Sequence, residues 1–409
     1  MTAPIDHLRH QILADDDLQS RLHGVDETGQ FLDEVLAIAS EMGLHCPRSE
    51  LQSLLSFETD NPLAANPGAL ALNNSPPDQW LPVSVVLREG QLHIEWVSFA
   101  AIKLTAPFFE QSMRLACHQP FNRLMRCITP LSALEEFAGS PAPDGFIFHM
   151  SRCGSTLVAQ MLAANPDHVV LSEAPLIDTI VQMANRGIIS AEVIPQTIGA
   201  LLRGGTGLNR RRFLKLDSWH TLSLPLFRQL FPETPWIFLY REPIEVLVSH
   251  QRKPGMHVIP GVIRLDSFGV HGAEQVAAED YPAWVLTQIC NAALLETKDS
   301  KGMFVNYCAL PDAFGNSILP HFHMKPTDAE LTVMVAAAQN YSKVPDQKFE
   351  SDSAEKQQAA GVFLKSTAAA QLVKIFDTLE HHRLRAFQPI LAQTSVQAAK
   401  HSPSVTFTW

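Results

Sequence analysis

The sequence predicts an α/β fold in three layers, a parallel sheet flanked by helices, preceded by a small N-terminal α-helical domain. Three observations predict it. From Gly145 onward short apolar runs alternate with segments of helical period. The runs GFIFHM, HVVL, RFLKL, WIFLY and MFVNY are almost continuously apolar, as strands covered on both faces must be. The first 58 residues, by contrast, carry only helical spacing.

Within residues 1–58, Leu8 and Ile12 lie one turn apart, as do Leu18 and Leu22. Phe31, Val35, Ile38, Ala39 and Met42 form one stripe, Gly43 is a plausible helix stop, and CPRSELQSLLSF reads as a further short helix. Residues 59–79 are rich in Pro, Asn and Ala and read as a linker. Residues 80–140 connect: WLPVSVVLREGQLHIEWVSF alternates about a Glu-Gly turn as a β-hairpin, and APFFEQSMRLACHQPFNRL reads as one amphipathic helix. Residues 141–409 are the α/β domain. Its strands are expected at GFIFHM, 168–171, 212–216, 236–240 and 303–307, with helices at Thr156–Ala164, around LPLFRQLF and after Pro243. The late stretch QKFESDSAEKQQAA reads as a surface segment.

A chain of 409 residues suggests two or three domains, and 46% apolar against 18% charged residues is an ordinary globular balance. A formal charge of −11 argues against a nucleic-acid surface, which needs clustered positive charge, but leaves room for a basic pocket for one small anion. No run of ~18 apolar residues is present, so no membrane span is expected. The start, MTAPIDHLRHQILADDD, lacks the basic-then-apolar order of a signal peptide. The cysteines, Cys46, Cys117, Cys127, Cys153, Cys290 and Cys308, form no C-x-x-C. A disulfide scaffold or zinc site is therefore not expected, and reduced thiols in a cytoplasmic protein are. HFH (321–323) and HH (381–382) are too sparse for a metal and read as solvated pairs.

Ligands of such sheets collect at the carboxyl ends of strands, where Met150-Ser151-Arg152-Cys153-Gly154-Ser155-Thr156 lies. Its backbone N–H groups and the following helix start can receive an anion. Gly154 permits close approach, Ser155 and Thr156 offer hydroxyls, and Arg152 a planar positive fork. A Walker loop needs G-x-x-x-x-G-K-[ST], whereas Gly154 is followed by Ser155, so ordinary ATP or GTP hydrolysis is disfavoured. A cysteine phosphatase would need an arginine where Ala159 stands. Cys153 is thus a loop-filling residue rather than a nucleophile, although Arg152 and the helix end are placed to lower its pKa. WIFLYREPIEVLVSHQR repeats the logic. Arg241 follows a strand, Pro243 opens a helix, and Ser249 lies about two turns on, so that Arg241 and Ser249 clamp a second anion.

FIFHMSRCGSTLVAQMLAANP together with FLYREPIEVLVS resembles the sulfotransferase superfamily, its bacterial and Golgi-like branches, over roughly residues 145–310. The resemblance implies a P-loop NTPase-like sulfotransferase fold and the co-substrate 3′-phosphoadenosine 5′-phosphosulfate (PAPS). The first loop, Arg152 to Thr156, would bind its 5′-phosphosulfate, and Arg241 with Ser249 its 3′-phosphate. Glu173, just past the second strand, matches the catalytic glutamate of the tyrosylprotein-sulfotransferase branch and would be the general base. Lys215 matches the third-strand lysine that stabilises the transferring group, although this chain reads Lys215-Leu216-Asp217 where relatives commonly read Lys-Asp-Pro or Lys-Ser-Pro. His220 is a substitute base, while His149 and His250 are packing or hydrogen-bonding residues. The Gly/Arg loop RGGTGLNRRR (203–212) is either solvated or a holder of an anionic acceptor.

DDDLQSRL followed by FLDEVLAIASEMGLHCPRSELQ resembles the leader-type helical domain of the nitrogen-fixation-associated peptide-precursor family, which tilts the acceptor toward a peptide or natural product. The acceptor hydroxyl or amine itself stays open. Two other readings compete: a kinase-like nucleotide-binding or NTPase domain, and a non-catalytic protein whose N-terminal helices bind or present peptide.

Overall fold

The N-terminal periodicity folds into helices α1 (Pro4–Leu13), α2 (Asp16–His23), α3 (Thr28–Glu41) and α4 (Arg48–Leu55) in a computed structural model that describes residues 4–56, 68–203, 210–341, 344–348 and 353–385. Asp15 caps α2 by accepting the Asp17 and Leu18 N–H groups, and Gly43 follows α3 with φ +69, a conformation that favours glycine. The residues read as a linker fall partly outside the described ones (57–67), while Leu70–Ala71 forms strand β1.

β2 (Trp80–Arg88) and β3 (Gln91–Ser98) make the expected hairpin. Its turn residues, Glu89 and Gly90, both have positive φ, as a tight hairpin turn demands. The pairing slips between Pro82 and Ser84, an irregularity at which a strand proline is tolerated. The single helix expected after the hairpin is two, α5 (Phe109–His118) and α6 (Pro120–Met125). Gln119, extended at φ −66 and ψ 138, breaks it, because a residue before proline avoids helical geometry. β4 (Cys127–Pro130) completes a sheet of order β1-β4-β3-β2. Helices α1 and α2 lie against this sheet. Arg9 donates to Gly68 O (2.8 Å) and Arg126 O (3.2 Å), and His23 Nε2 sits 2.8 Å from Ser98 Oγ. Beneath them Arg126 pairs with the fully buried Glu95 at 2.8 Å.

The α/β domain follows the predicted alternation: β5 (Gly145–His149), α7 (Ser155–Ala163), β6 (His168–Ser172), α8 (Pro175–Asn185), α9 (Val193–Leu201), β7 (Arg211–Lys215), α10 (Leu224–Leu230), β8 (Trp236–Tyr240), α11 (Pro243–Arg252), α12 (Tyr281–Leu295) and β9 (Gly302–Asn306). All pairs are parallel, in the order β6-β7-β5-β8-β9. Every residue of β5 and β8 is buried, which is why these runs lack polar alternation. The chain leaves β5 for β6 on one side and later enters β8 on the other. The crevice at the carboxyl end of β5 is therefore the topological switch point.

Helices α13 (Leu319–His321), α14 (Asp328–Ala336), α15 (Ser353–Ala359) and α16 (Val362–Gln371) close the described chain. His321 is not a solvated residue: its Nε2 lies 3.0 Å from both Trp236 O and Lys301 O, at the paired starts of β8 and β9. The expected surface segment is largely exposed in its described part and is tied to α11 by Gln357 donating to Glu242 (2.8 Å) and Arg252 to Glu355 (2.9 Å). Side chains buried from Ile5 to Leu379 form one continuous apolar core.

Candidate active site

At the switch point the chain leaves β5 in an unusual conformation. Ser151 (φ 82), Arg152 (φ 53) and Gly154 (φ 86) are all left-handed, and so is Glu173 (φ 53) at the end of β6. Such geometry is uncommon outside glycine and concentrates at functional sites. Neighbouring strands hold it. His149 Nδ1 accepts the Ser151 N–H (3.0 Å), its Nε2–H donates to Leu216 O beyond β7 (2.9 Å), and the Cys153 thiol donates to Leu239 O of β8 (3.1 Å). Gly154 is obligatory twice over, because a Cβ there would also lie 2.6 Å from the Tyr307 ring. Cys153 is fully buried, and burial pushes its thiol up to about 12, opposite to the lowering expected from Arg152 and the helix start.

The loop forms one wall of a cavity of about 310 Å³. Arg152, Ser155, Thr156, Glu173, Asp217 and His257 line it, with Phe108 and Trp219 as aromatic members. Arg152 also donates to Lys253 O (2.6 Å), which fixes its fork across the opening.

Glu173 and Lys215, expected as general base and as stabiliser of the transferring group, contact each other directly. Lys215 Nζ donates to Glu173 Oε1, and the Glu173 N–H donates to Lys215 O (2.8 Å). The lysine is fully buried beneath Glu173 and is not part of the cavity wall. A buried ammonium needs a partner, and the carboxylate supplies it. Burial pushes the Glu173 carboxyl up, but the Lys215 ammonium and His149, 3.5 Å away, outweigh it and hold the group well below the usual carboxylate range. His149 itself is driven down, chiefly by burial.

Two neighbours carry no signal of their own in the sequence. Asp217 lies on the cavity wall, and burial, followed by the Glu173 and Asp178 charges, pushes its carboxyl well up. His257, on the loop after α11, is held down to about 3 by burial and so is a neutral imidazole. His220, expected as a substitute base, is 1% exposed and does not reach the cavity; it lies behind Asp217 and bonds to Asp178.

A second cavity of about 320 Å³ opens at the end of β8, lined by Arg241, Glu245, Asn306, Tyr307 and Ser353 among others. Arg241 Nε donates to Glu245 Oε2 (2.6 Å), its Nη2 donates to Ser353 Oγ (3.1 Å), and the guanidinium covers the Tyr307 ring at 4.1 Å. Ser249, the expected second half of the clamp, is not on this wall. One turn beyond Glu245, its hydroxyl back-bonds to Glu245 O (2.7 Å), a habit of helical serines. Ser353 of α15 stands beside Arg241 in its place. Of the 203–212 loop, residues 204–209 lie outside the described ones.

Among the described residues no group of three or more His, Cys, Asp or Glu side chains is placed to hold a metal, and no helix is long and apolar enough to cross a membrane. No protein-family model matches this sequence, and no curated protein matches it either. Two solved structures are similar at a distance. Sulfotransferase STF9 from Mycobacterium avium is 13% identical, over 58% of this chain and 78% of that one, with a TM-score of 0.35. Retinol dehydratase, solved with androsterone and the inactive cofactor PAP, is 12% identical over 63% of this chain and 85% of its own, with a TM-score of 0.29. No residue role follows from likenesses this remote.

Proposed function

We propose that this protein is a PAPS-dependent sulfotransferase that moves a sulfuryl group to a hydroxyl or amine acceptor. One observation carries the reading. Two separate cavities, each with an arginine on its wall, open at the carboxyl ends of the adjacent parallel strands β5 and β8. A nucleotide with anions at both ends of its ribose needs two such places; a nucleoside triphosphate needs one.

The residues present fit that co-substrate. The left-handed turn before α7, the Ser155 and Thr156 hydroxyls and Arg152 would hold the 5′-phosphosulfate. Arg241, aimed by Glu245 and stacked on Tyr307, would hold the 3′-phosphate, with Ser353 beside it where the resemblance implied Ser249. PAPS, when bound, supplies the sulfuryl group and a phosphate leaving group. Sulfuryl transfer, like phosphoryl transfer, is an in-line displacement governed by positioning and charge stabilisation. Glu173, on the cavity wall, receives the acceptor's O–H or N–H and orients it. Lys215 acts through Glu173, keeping it ionised and fixed, rather than by touching the transferring group.

The test is calorimetric titration with 3′-phosphoadenosine 5′-phosphate (PAP) beside ADP. The expected result is a preference for PAP of about 10- to 100-fold, the worth of charge-assisted hydrogen bonds to one phosphate, that disappears in Arg241→Ala. Equal or absent binding would sink the reading and bring the kinase-like and peptide-binding alternatives forward.

A further inference from the structure

On and behind the cavity wall lie Asp217, His220 and Asp178, which orientation by Glu173 leaves unused. Asp178, in the first turn of α8, accepts Trp219 Nε1–H (2.6 Å) and Gln182 Nε2–H (2.7 Å). It also lies 3.0 Å from His220 Nε2. An ionised carboxylate only accepts, so His220 Nε2 carries a hydrogen, and Nδ1 is the ring's second site for a proton. Nδ1 is buried and has no hydrogen-bond partner among the described residues. It faces Asp217 Oδ2 at 3.9 Å. Two acceptors facing each other repel unless a proton lies between them, and a buried ring nitrogen left unpaired is costly. The charged groups around Asp217 agree. Glu173 and Asp178 push its carboxyl up after burial does, and Lys215, the one opposing charge, is committed to Glu173.

Glu173 is poorly suited to take the acceptor's proton. A carboxylate gripped by a buried ammonium orients a hydroxyl well but is a weak base. The proton needs a second taker.

We propose that Asp217 and His220, with His220 held by Asp178, form a proton relay leading out of the acceptor subsite. The inference rests on the sulfuryl-transfer reading of the cavity. The acceptor's proton passes to the carbonyl oxygen of the protonated Asp217 carboxyl. The proton on its other oxygen passes to His220 Nδ1, giving an imidazolium paired with Asp178. In the same displacement the acceptor–sulfur bond forms, and the bond from sulfur to the phosphate oxygen breaks with its electron pair on the phosphate. Rotation of the Asp217 carboxyl about its soft terminal torsion closes the 3.9 Å gap to hydrogen-bond distance. Asp217 is the catalytic residue of this relay, and His220 and Asp178 act through it.

The experiment uses the full-length protein and the variants Asp217→Asn, His220→Gln and Asp178→Asn. Infrared difference spectra at neutral pH, parent minus Asp217→Asn, should contain a protonated-carboxyl C=O band. That band should shift in His220→Gln and in Asp178→Asn. Its absence from the parent, or its indifference to both variants, overturns the relay without any assay of turnover. With PAPS and phenol, a hydroxyl acceptor that stays protonated at neutral pH, as the probe, kcat should fall roughly 100-fold in Asp217→Asn and in His220→Gln, with KM for PAPS unchanged. A His220→Gln kcat within twofold of the parent also overturns it. PAP titration of the parent separates the two failures. No PAP binding removes the sulfotransferase reading itself, whereas PAP binding without the band removes only the relay.

Discussion

Lys215→Met tests the electrostatic centre of the site. The Lys215 ammonium is 1% exposed and rests on Glu173, whose side chain keeps 23% exposure toward the cavity. Removing one partner of a buried pair costs about 3–5 kcal/mol, because the other charge is left without compensation. Lys215→Met belongs at the lower end, ~3 kcal/mol, since Glu173 retains cavity water and His149. Glu173→Gln belongs toward the upper end, ~4–5 kcal/mol, since the ammonium it abandons has no water at all. Unfolding entropy near 2.1 cal/mol/K per residue over 409 residues is ~0.9 kcal/mol/K, so these costs appear as falls in Tm of about 3 to 6 °C.

The double variant Lys215→Met/Glu173→Gln leaves neither charge behind. It should recover most of the loss rather than add the two. Acid supplies a second check. Glu173 is held below its unfolded value, so its contribution is complete above about pH 4.3 and is lost as pH falls toward its folded pKa. The Tm gap between parent and Lys215→Met should therefore be full at pH 7 and narrow below about pH 4. Differential scanning calorimetry across pH measures both. Additive single losses, to within ~0.5 kcal/mol, or a gap that ignores acid, would refute the reasoning.

Three further outcomes follow from the geometry. Gly154→Ala, which forces a side chain to φ 86 and 2.6 Å from Tyr307, should destabilise by about 2 kcal/mol and weaken PAP binding at least tenfold; full affinity in calorimetry would contradict the cradle. At pH 8, iodoacetamide followed by mass spectrometry should label the exposed Cys308 and spare Cys153, whose thiol is buried and pushed up to about 12; rapid labelling of Cys153 would revive it as a reactive residue. Glu173→Gln should keep PAP affinity within about twofold while turnover falls at least tenfold, because Glu173 meets the acceptor and not the nucleotide; unchanged turnover would remove it from the chemistry.

The positions of the candidate site residues are legible in the sequence for identifiable reasons. Arg152 to Thr156 and Arg241 are contiguous with strand ends, so hydrophobic runs alone place them at one edge of the sheet. Lys215 and Glu173 end neighbouring strands β7 and β6, and parallel register sets them side by side. The position of the Ser249 hydroxyl was not legible, because helical spacing does not say whether a hydroxyl turns outward or back-bonds to its own turn. Asp178, Asp217 and His257 were missed because each draws its character from burial and from neighbours distant in sequence.

By itself, then, the sequence determined the strands, their common direction and the sheet edge at which the candidate site residues gather. Periodicity, apolar runs and strand-end chemistry are local properties that survive in one dimension. Which strands are neighbours, in the order β6-β7-β5-β8-β9, was decided only in three dimensions. So were the placing of Lys215 beneath Glu173 rather than on the cavity wall, the arrival of Ser353 at Arg241 from more than a hundred residues away, and the facing of Asp217 and His220. The physical reason is the same each time. Desolvation and charge act through space, and a carboxyl, an imidazole or an ammonium acquires its proton affinity from what folding packs around it.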